Sequence, residues 1–514
     1  MKLMAAIAHR RCEPGMGRVF RGLRQGPERT YDVVVIGAGI GGLICANLLA
    51  RHQLRVLLIE QHYMVGGYCS MFRRKGYLFD AGTHFYPLLG NPDTMTGKLI
   101  RHLGVTTDWI NMDPVDQFHL PDGSRFVVPA DFDQYLAQLK ATFPHEAQAL
   151  DTFFANVREA YMYGLLCYFR GRDTARLDRF RDLTVQQVLD QSFQDPKLKL
   201  ILTADCAHWG SPPSRTSFVF DAMLRLSYFL GNYYPRGGSQ AFADDLARCF
   251  EMQGGHILMR ALATRILVER QTVSGVEIET RRGRQRSVVQ VRAGWVVANS
   301  DLRQTLESLI QPQYLKAEYL QAARQLRPTY PCFLTHIGLR DVPTDVLLEA
   351  HGYYWDEWDT ERMGRGALKF KLFVPTLYDP SLARRGGHII VIQKVLDIDY
   401  DTIDDWSAHK AAVEDGILKH LEHLIPGITE RMVVKLSASA QTSYRYTLNY
   451  QGAMLGWEMS PEQLGHQRFD VTGPLERLYF VGHWVQPGGG ITPVIVSAMN
   501  VAKKIAAASM APPV

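Results

Sequence analysis

The chain has 514 residues, a formal net charge of +5 and 46% apolar residues. This length exceeds what one hydrophobic core usually serves, so we expect two or more lobes. The charge is modest for the length and no long basic run alternates with aromatic residues, which makes nucleic acid a poor candidate partner. The seven cysteines are scattered without a C-x-x-C pair, which argues against a disulfide framework and structural zinc, and no metal site is predicted.

The N-terminal segment 1–30 is basic. It carries seven Lys and Arg side chains against two acidic ones, and it lacks the long apolar stretch of a signal peptide. We interpret it as a flexible basic arm, with adhesion to anionic lipid as the alternative. No uninterrupted apolar run in the chain approaches the length that crosses a bilayer, so no transmembrane helix is expected.

A strand, turn, helix and second strand follow the arm. Residues 31–36 are a β-branched run, an apolar helix extends to about Arg51, and residues 54–60 are a second apolar run that ends in an acid. The turn at 37–42 has the pattern G-x-G-x-x-G directly after the strand and at the start of the helix. This arrangement predicts a β-α-β unit that binds a dinucleotide.

Each glycine of the turn has a predicted steric role. Gly37 permits the tight turn, Gly39 lets the backbone approach a pyrophosphate at the helix N-terminus, and Gly42 lets the helix pack closely on the strand. Gly41 belongs to the same cofactor-binding turn. Glu60 is placed to accept hydrogen bonds from ribose hydroxyls, and its charge disfavours the 2′-phosphate of NADP.

Two later segments favour FAD over NAD. The glycine pair Gly66 and Gly67 follows Glu60 and suits a chain that lies against an extended cofactor. Near the C-terminus a strand and three glycines precede a helix, for which Thr492 is the predicted N-cap and Pro493 the first residue. The positive end of that helix dipole would stabilise an anionic reduced flavin.

The region between these cofactor segments contains amphipathic helices and a hairpin at 118–128. Within it, residues 160–181 combine an apolar, aromatic helix with several arginines, a composition that suits a membrane interface. A core helix followed by a solvated basic loop explains the same pattern, and both interpretations stay open.

Together these motifs resemble the flavin-dependent amine-oxidase-like superfamily, and within it the phytoene desaturase, carotenoid isomerase and retinol saturase family. The resemblance covers nearly the whole chain. It includes the N-terminal site that ends in Glu60, with Gly66 and Gly67, and the segments 76–82, 234–238, 299–301, 375–381, 481–483 and 487–491. It implies an α/β fold, in which a Rossmann-like FAD-binding domain of the two-dinucleotide-binding flavoprotein type is interleaved with an α+β substrate-binding lobe.

We predict that both parts are discontinuous along the chain. The predicted FAD-binding domain comprises residues 31–90, 235–310 and 430–514. The predicted substrate-binding lobe, with helices able to face a membrane, comprises 91–234 and 311–429.

The resemblance also implies how the chain holds a non-covalent FAD. Gly37, Gly39, Gly42 and Glu60 match the ADP site, and Gly66 and Gly67 match the glycine pair near the pyrophosphate. Ala263 and Ile266 match the strand that lines the adenine pocket. Gly482 and His483 match the C-terminal flavin contact, and Gly490 and Ile491 match the residues that approach the isoalloxazine.

The family implies an oxidoreductase that acts on carbon–carbon bonds of an apolar polyene such as a carotenoid, by desaturation or cis–trans isomerisation. The flavin is the main catalyst, and His84 is the candidate acid or base. Reduction of a polyene in the manner of a retinol saturase, amine oxidation and a non-enzymatic flavin-bearing scaffold stay open as alternatives. We expect peripheral attachment to the cytoplasmic side of a membrane.

Overall fold

The computed structural model describes residues 27–171, 178–282 and 285–510. The predicted arm at 1–30 lies outside the described residues except for its last four, and 172–177 of the predicted interface segment are outside them as well. The strands, in chain order, are β1 (Thr30–Ile36), β2 (Val56–Glu60), β3 (Met71–Arg74), β4 (Tyr77–Asp80), β5 (Trp109–Asn111), β6 (Asp116–His119), β7 (Arg125–Val128), β8 (Tyr233–Pro235), β9 (His256–Met259), β10 (Ala261–Glu269), β11 (Thr272–Arg282), β12 (Gln285–Ala298), β13 (Cys332–Arg340), β14 (Gly352–Trp355), β15 (Leu368–Phe373), β16 (Gly387–Val395), β17 (Met432–Ala438) and β18 (Leu478–Phe480).

The helices include several that are only two turns long. In chain order they are α1 (Ile40–Arg51), α2 (Met95–Leu103), α3 (Phe132–Thr142), α4 (Ala147–Gly164), α5 (Val185–Ser192), α6 (Pro196–Thr203), α7 (Phe218–Phe229), α8 (Ser239–Met252), α9 (Leu302–Gln304), α10 (Ala317–Gln325), α11 (Thr344–Ala350), α12 (Trp406–Leu424), α13 (Ala440–Thr447) and α14 (Ile491–Ser509). A π-helical turn, Leu165–Phe169, continues α4, and another, Thr305–Leu309, continues α9.

The first sheet contains the predicted β-α-β unit. Its order is β10-β11-β12-β1-β2-β9, with β18 beside β12. The pairs β12–β1, β1–β2, β2–β9 and β12–β18 are parallel, whereas β10, β11 and β12 form an antiparallel meander. β1 and β2 are nearly continuous apolar runs with buried side chains, as expected for central strands of a parallel sheet that is covered on both faces.

The second sheet is built from the stretches of chain between the visits to the first. Its order is β17-β13-β16-β15-β14-β6-β7, and all its pairs are antiparallel except β14–β6. The predicted hairpin at 118–128 is the β6–β7 pair. The interleaving of a parallel-sheet domain with a mainly antiparallel lobe confirms the predicted fold class. β17 lies inside the predicted cofactor range 430–514 but pairs with β13 of the second sheet.

The last helix, α14, begins two residues earlier than the sequence indicates. Its N-cap is Gly490 with φ 96°, a conformation that favours glycine, and Ile491 is the first helical residue. Thr492 is therefore not the N-cap; its hydroxyl lies 3.4 Å from the carbonyl oxygen of Pro87. Pro493 stays within the first turn, where the missing N–H removes no helical hydrogen bond.

Among the described residues, α14 is the one helix whose length and composition would allow it to cross a membrane. It packs against α1, and Ile495, Val501 and Ile505 on it are fully buried in the core of the first domain. A mostly apolar helix in the core of a large protein has the same composition.

The packing of α1 against β1 depends on two glycines. A Cβ added to Gly42 would lie 2.0 Å from the carbonyl oxygen of Gly37, and Gly37 itself has φ 96°. The Asn299 side-chain amide donates to the same carbonyl oxygen at 3.2 Å. The close contact between Gly42 and the Gly37 carbonyl group sets the distance between the helix and the carboxyl end of the strand.

We predict that Gly42→Ala lowers the free energy of unfolding by about 1–3 kcal/mol, because the added methyl group meets backbone that cannot move independently of the sheet. Urea titration followed by circular dichroism measures the change. The matched control is Gly416→Ala in α12, where nothing lies within 4 Å of the added Cβ. That substitution should be neutral or stabilise by up to about 1 kcal/mol. Equal loss of stability in both variants would contradict the prediction.

Candidate active site

A cavity of about 1010 Å³ lies between the two sheets. Its lining includes Gly37, Gln61, Asn299 and Val481, which lie at the carboxyl ends of β1, β2, β12 and β18. Ligands of open parallel sheets bind at this edge. The volume lies at the upper end of the range of about 300–1,000 Å³ that is usual for small-molecule sites.

The cavity begins at the N-terminus of α1. Gly39 is the N-cap, no side chain caps the helix, and its first turn contains no acidic residue, so its first N–H groups are available to an anion. The second glycine pair faces this turn: Gly66 N–H donates to the Ala38 carbonyl oxygen at 2.8 Å, and a Cβ on Gly67 would lie 3.3 Å from Gly39 Cα. These close approaches leave room for a pyrophosphate and none for side chains.

The Glu60 carboxylate forms the next part of the wall. One oxygen accepts a hydrogen bond from Ala38 N–H and the other from His62 N–H, both at 2.8 Å. Burial raises the pKa of Glu60, and these backbone donors oppose that shift. Each carboxylate oxygen keeps a free lone pair, so the position suits acceptance of two ribose hydroxyls.

Of the two residues on β10 that are predicted to contact adenine, one lines the cavity. Ala263 and its neighbour Thr264 line the cavity. Ile266 does not: it is 1% exposed and packs in the core of the first domain. The pairing with β11 shifts register between Ala263 and Arg265, an irregularity that simple alternation along a strand does not predict.

The last strand and helix form another part of the cavity wall, and Gly482 lies close to Gly41 at the N-terminus of α1. Gly482, His483, Gly490 and Ile491 all line the cavity there. A Cβ on Gly490 would meet only the ring of Pro493, at 3.6 Å, so the cavity is open beside this glycine. The N-terminus of α14 has no side-chain cap and no acidic residue in its first turn.

His483 is a neutral residue in this setting. Burial, together with the neighbouring Arg468 guanidinium, lowers the pKa of His483 to about 3. Arg468 in turn donates to the backbone carbonyl oxygen of His483. The side chain therefore offers a hydrogen bond to a ligand and no charge.

His84 lies where the cofactor groove meets an apolar tunnel. Gly82, Thr83, His84 and Phe85 all line the cavity, and the imidazole packs against Phe373 with ring centroids 4.4 Å apart. The ring is 4% exposed, and burial followed by the charge of Lys371 lowers its pKa to about 3. At neutral pH the imidazole is therefore neutral, which excludes a role as a general acid and makes it a weak base.

The tunnel extends from His84 between α4 and α7. Its wall includes Tyr161, Leu165, Phe169, Phe220, Met223 and Leu224. The segment predicted either as a membrane interface or as a core helix thus forms the wall of the cavity within its described part.

Sequence reasoning did not single out several residues that line the cavity. The side-chain amide of Asn299 donates to the Gly37 carbonyl oxygen, and its Oδ1 lies 2.6 Å from the position of a Cβ added to Gly41. In the sequence, only its place in a family motif marked Asn299 as a site residue. His208, in a short turn after α6, gave no signal because its neighbours in the sequence carry no recognisable motif.

A parallel sheet with glycine turns at its carboxyl edge defines a dinucleotide-binding protein. The chain matches the family described as flavin containing amine oxidoreductase over residues 40–506, so it belongs to this family and is a flavin-dependent oxidoreductase. This establishes the flavin class that the sequence predicted.

Curated relatives extend over most of the chain. It is 26% identical to prolycopene isomerase of Daucus carota, over 94% of this chain and 81% of the relative. It is 25% identical to the neurosporene-forming phytoene desaturase of Cereibacter sphaeroides, over 91% and 93%. It is 28% identical to all-trans-retinol 13,14-reductase of Rattus norvegicus, over 64% and 57%.

Solved structures share the fold. An oxidoreductase from Methanosarcina mazei matches with a TM-score of 0.65 at 17% identity, over 92% of this chain and 99% of the other. A putrescine oxidase bound to putrescine matches with a TM-score of 0.64 at 14% identity, over 94% and 100%.

We predict that Glu60→Gln weakens FAD binding by roughly 10- to 100-fold, because it removes charge-assisted hydrogen bonds to the ribose. Titration of FAD into flavin-free protein, followed by quenching of flavin fluorescence, gives the Kd. The control is Glu318→Gln, an exposed position on α10. A Glu60→Gln variant that binds FAD as tightly as the wild type would show that the carboxylate does not hold the ribose.

Proposed function

We propose that this chain is an FAD-dependent oxidoreductase that acts on a carbon–carbon bond of an apolar polyene. The observation that carries the proposal is the continuity of a single cavity from the dinucleotide-binding turns to the apolar tunnel between α4 and α7. The curated relatives whose printed names describe isomerisation, desaturation and reduction of polyenes support the substrate class.

The residues present fit FAD in particular. Glu60 would hold the ribose, the N-terminus of α1 with Gly39 and Gly67 the pyrophosphate, and the N-terminus of α14 at Gly490 the flavin end. When bound, FAD supplies a hydride acceptor or donor. The side chains around it would position the polyene and exclude water. The sequence indicates His84 as the candidate acid or base, and its low pKa leaves only the role of a weak base.

The charges along the cavity favour a polyene over an amine. In the described lining, the carboxylates are Glu60 and Asp301 at the cofactor end and Asp93, which is exposed at the other end. The middle of the tunnel therefore offers no counter-ion to a substrate ammonium group. A long hydrocarbon loses no hydrogen bonds there and gains from burial of its surface.

The outer end of the tunnel has the properties of a membrane contact. Met95 and Leu230 line the cavity and are 37% and 45% exposed. Met162, which follows the lining residue Tyr161 in the sequence, is 44% exposed. Exposed basic side chains accompany them, namely Lys98 one turn after Met95 on α2 and Arg170 in the cavity wall. Apolar side chains beside cations suit the surface of an anionic bilayer, the phase in which an apolar polyene dissolves.

We predict that the double variant Met95→Asp with Leu230→Asp binds anionic vesicles about tenfold more weakly than the wild type, because it replaces buried apolar contact by repulsion. Sedimentation with phosphatidylserine-containing vesicles at low salt measures binding. The control is Leu348→Asp on α11, also an exposed leucine. A double variant that sediments as the wild type does would contradict the membrane contact at this surface.

We predict that expression in a host that makes polyene precursors changes the pigment profile, and that Glu60→Arg abolishes the change by preventing FAD binding. Chromatography of extracted pigments measures the effect, with the flavin content of each purified protein determined in parallel. An unchanged profile from wild-type protein that contains flavin would count against the polyene substrate.

A further inference from the structure

Two irregular segments of the chain form one part of the cavity wall. Residues 453–464 contribute Met454 and Leu464 to the lining, and residues 481–490 contribute the turn that contains His483. Both segments consist of short 3-10 turns, bends and isolated bridges, so neither a helix nor a sheet ladder fixes their backbone. Their carbonyl groups need other partners, because a buried carbonyl group without one costs free energy.

The Arg468 side chain joins these two segments. It is 2% exposed, and all three guanidinium nitrogens donate to backbone carbonyl oxygens. The acceptors are the carbonyl oxygens of Trp457, Glu458 and Gln463 in the first segment and of His483 and Val485 in the second. A planar fork of five N–H groups is specific to arginine, so no other side chain can make this set of contacts.

Further contacts hold the turn after β18 in the same place. The Gln486 N–H donates to the Phe469 carbonyl oxygen, and its side-chain amide donates to the Arg468 carbonyl oxygen, both at 2.9 Å. A Cβ added to Gly456 would lie 2.5 Å from the His483 carbonyl oxygen, so the first segment packs directly against this peptide group. Arg468 thus lies at the centre of the contacts that orient a turn of the cavity wall.

The guanidinium is also a buried charge that has no carboxylate partner in the described part of the chain. The Glu458 carboxylate pairs instead with Arg215 and Arg327, at 2.8 and 3.5 Å. Burial lowers the pKa of Arg468 to about 9, which leaves it protonated at neutral pH. Its charge acts on the cavity wall, where it lowers the pKa of His483 further after burial. This part of the wall therefore favours an anionic ligand.

We propose that Arg468 is a positioning residue of the cofactor site, whose fork orders the two wall segments for FAD and whose charge favours the anionic cofactor. The inference rests on the FAD part of the proposed function and does not depend on the polyene. An arginine with a purely structural role would raise the free energy of unfolding and leave the affinity of the folded protein for FAD unchanged. A positioning residue pre-organises the site and so changes this affinity.

The test compares two substitutions in the full-length, flavin-free protein. Arg468→Lys keeps the charge and loses the planar fork, whereas Arg468→Met removes both. Titration of FAD, followed by quenching of flavin fluorescence, gives the Kd, and recovery of fluorescence after dilution gives the rate of FAD release. We expect the Kd to rise about tenfold in Arg468→Lys and about 100-fold in Arg468→Met, mainly through faster release.

The matched control is Arg225→Lys in the second lobe. Arg225 is also a buried guanidinium, 8% exposed, but it pairs with Asp221 at 2.8 Å and does not line the large cavity. The control variant should lose free energy of unfolding and keep the wild-type Kd for FAD. Urea titration followed by circular dichroism gives the folded fraction of every variant, so that each Kd refers to folded protein.

The outcomes separate this inference from the function on which it rests. If the wild-type protein does not bind FAD, the FAD part of the proposed function fails and this inference fails with it. If folded Arg468→Lys binds and releases FAD as the wild type does, the inference is refuted, whether or not Arg468→Met folds. If Arg225→Lys weakens FAD binding as much as Arg468→Lys does, general destabilisation explains the loss and the assignment to Arg468 is wrong. Weaker binding confined to the Arg468 variants supports the assignment.

Discussion

The close approach of α1 to β1 is the constraint on which the rest of the structure depends. Because Gly42 lies directly against the Gly37 carbonyl group, the N-terminus of α1 reaches the carboxyl edge of the sheet. Asn299 joins β12 to the same point, and Gly66 brings the loop after β2 against it. Three separate parts of the chain thus meet around one helix N-terminus, which makes this edge of the sheet a site for an anion.

Interleaving of the two domains converts that edge into one end of a long cavity. The chain leaves the first sheet after β2 and again after β12, and each excursion contributes strands to the second sheet. When it returns, β18 and α14 add Gly482 and Gly490 to the cavity wall. A site between two discontinuous domains is bounded by both, so its walls differ in character: backbone N–H groups on the cofactor side and apolar side chains on the other.

A buried ion pair lies behind the wall of the cavity. The Lys371–Asp116 pair is enclosed by aromatic rings, and its positive charge acts on imidazoles that already lose charge through burial. A buried ion pair contributes little net stability, so its retention here fits a role in setting the protonation state of neighbouring groups. His84 and His208 lie in front of this pair in the cavity wall, and both imidazoles are neutral.

The sequence alone determined the β-α-β unit, the glycines of its turn and the acid at Glu60, because these depend on spacing within one short stretch of chain. It also indicated the interleaved fold and the flavin, through motifs spread along the chain. Only the tertiary structure decided that Ile266 packs in the core and does not line the cavity, because which face of β10 meets the cavity depends on the elements packed against the strand. It also brought His208 to His84, since that contact depends on the packing of two segments distant in sequence and not on a local pattern.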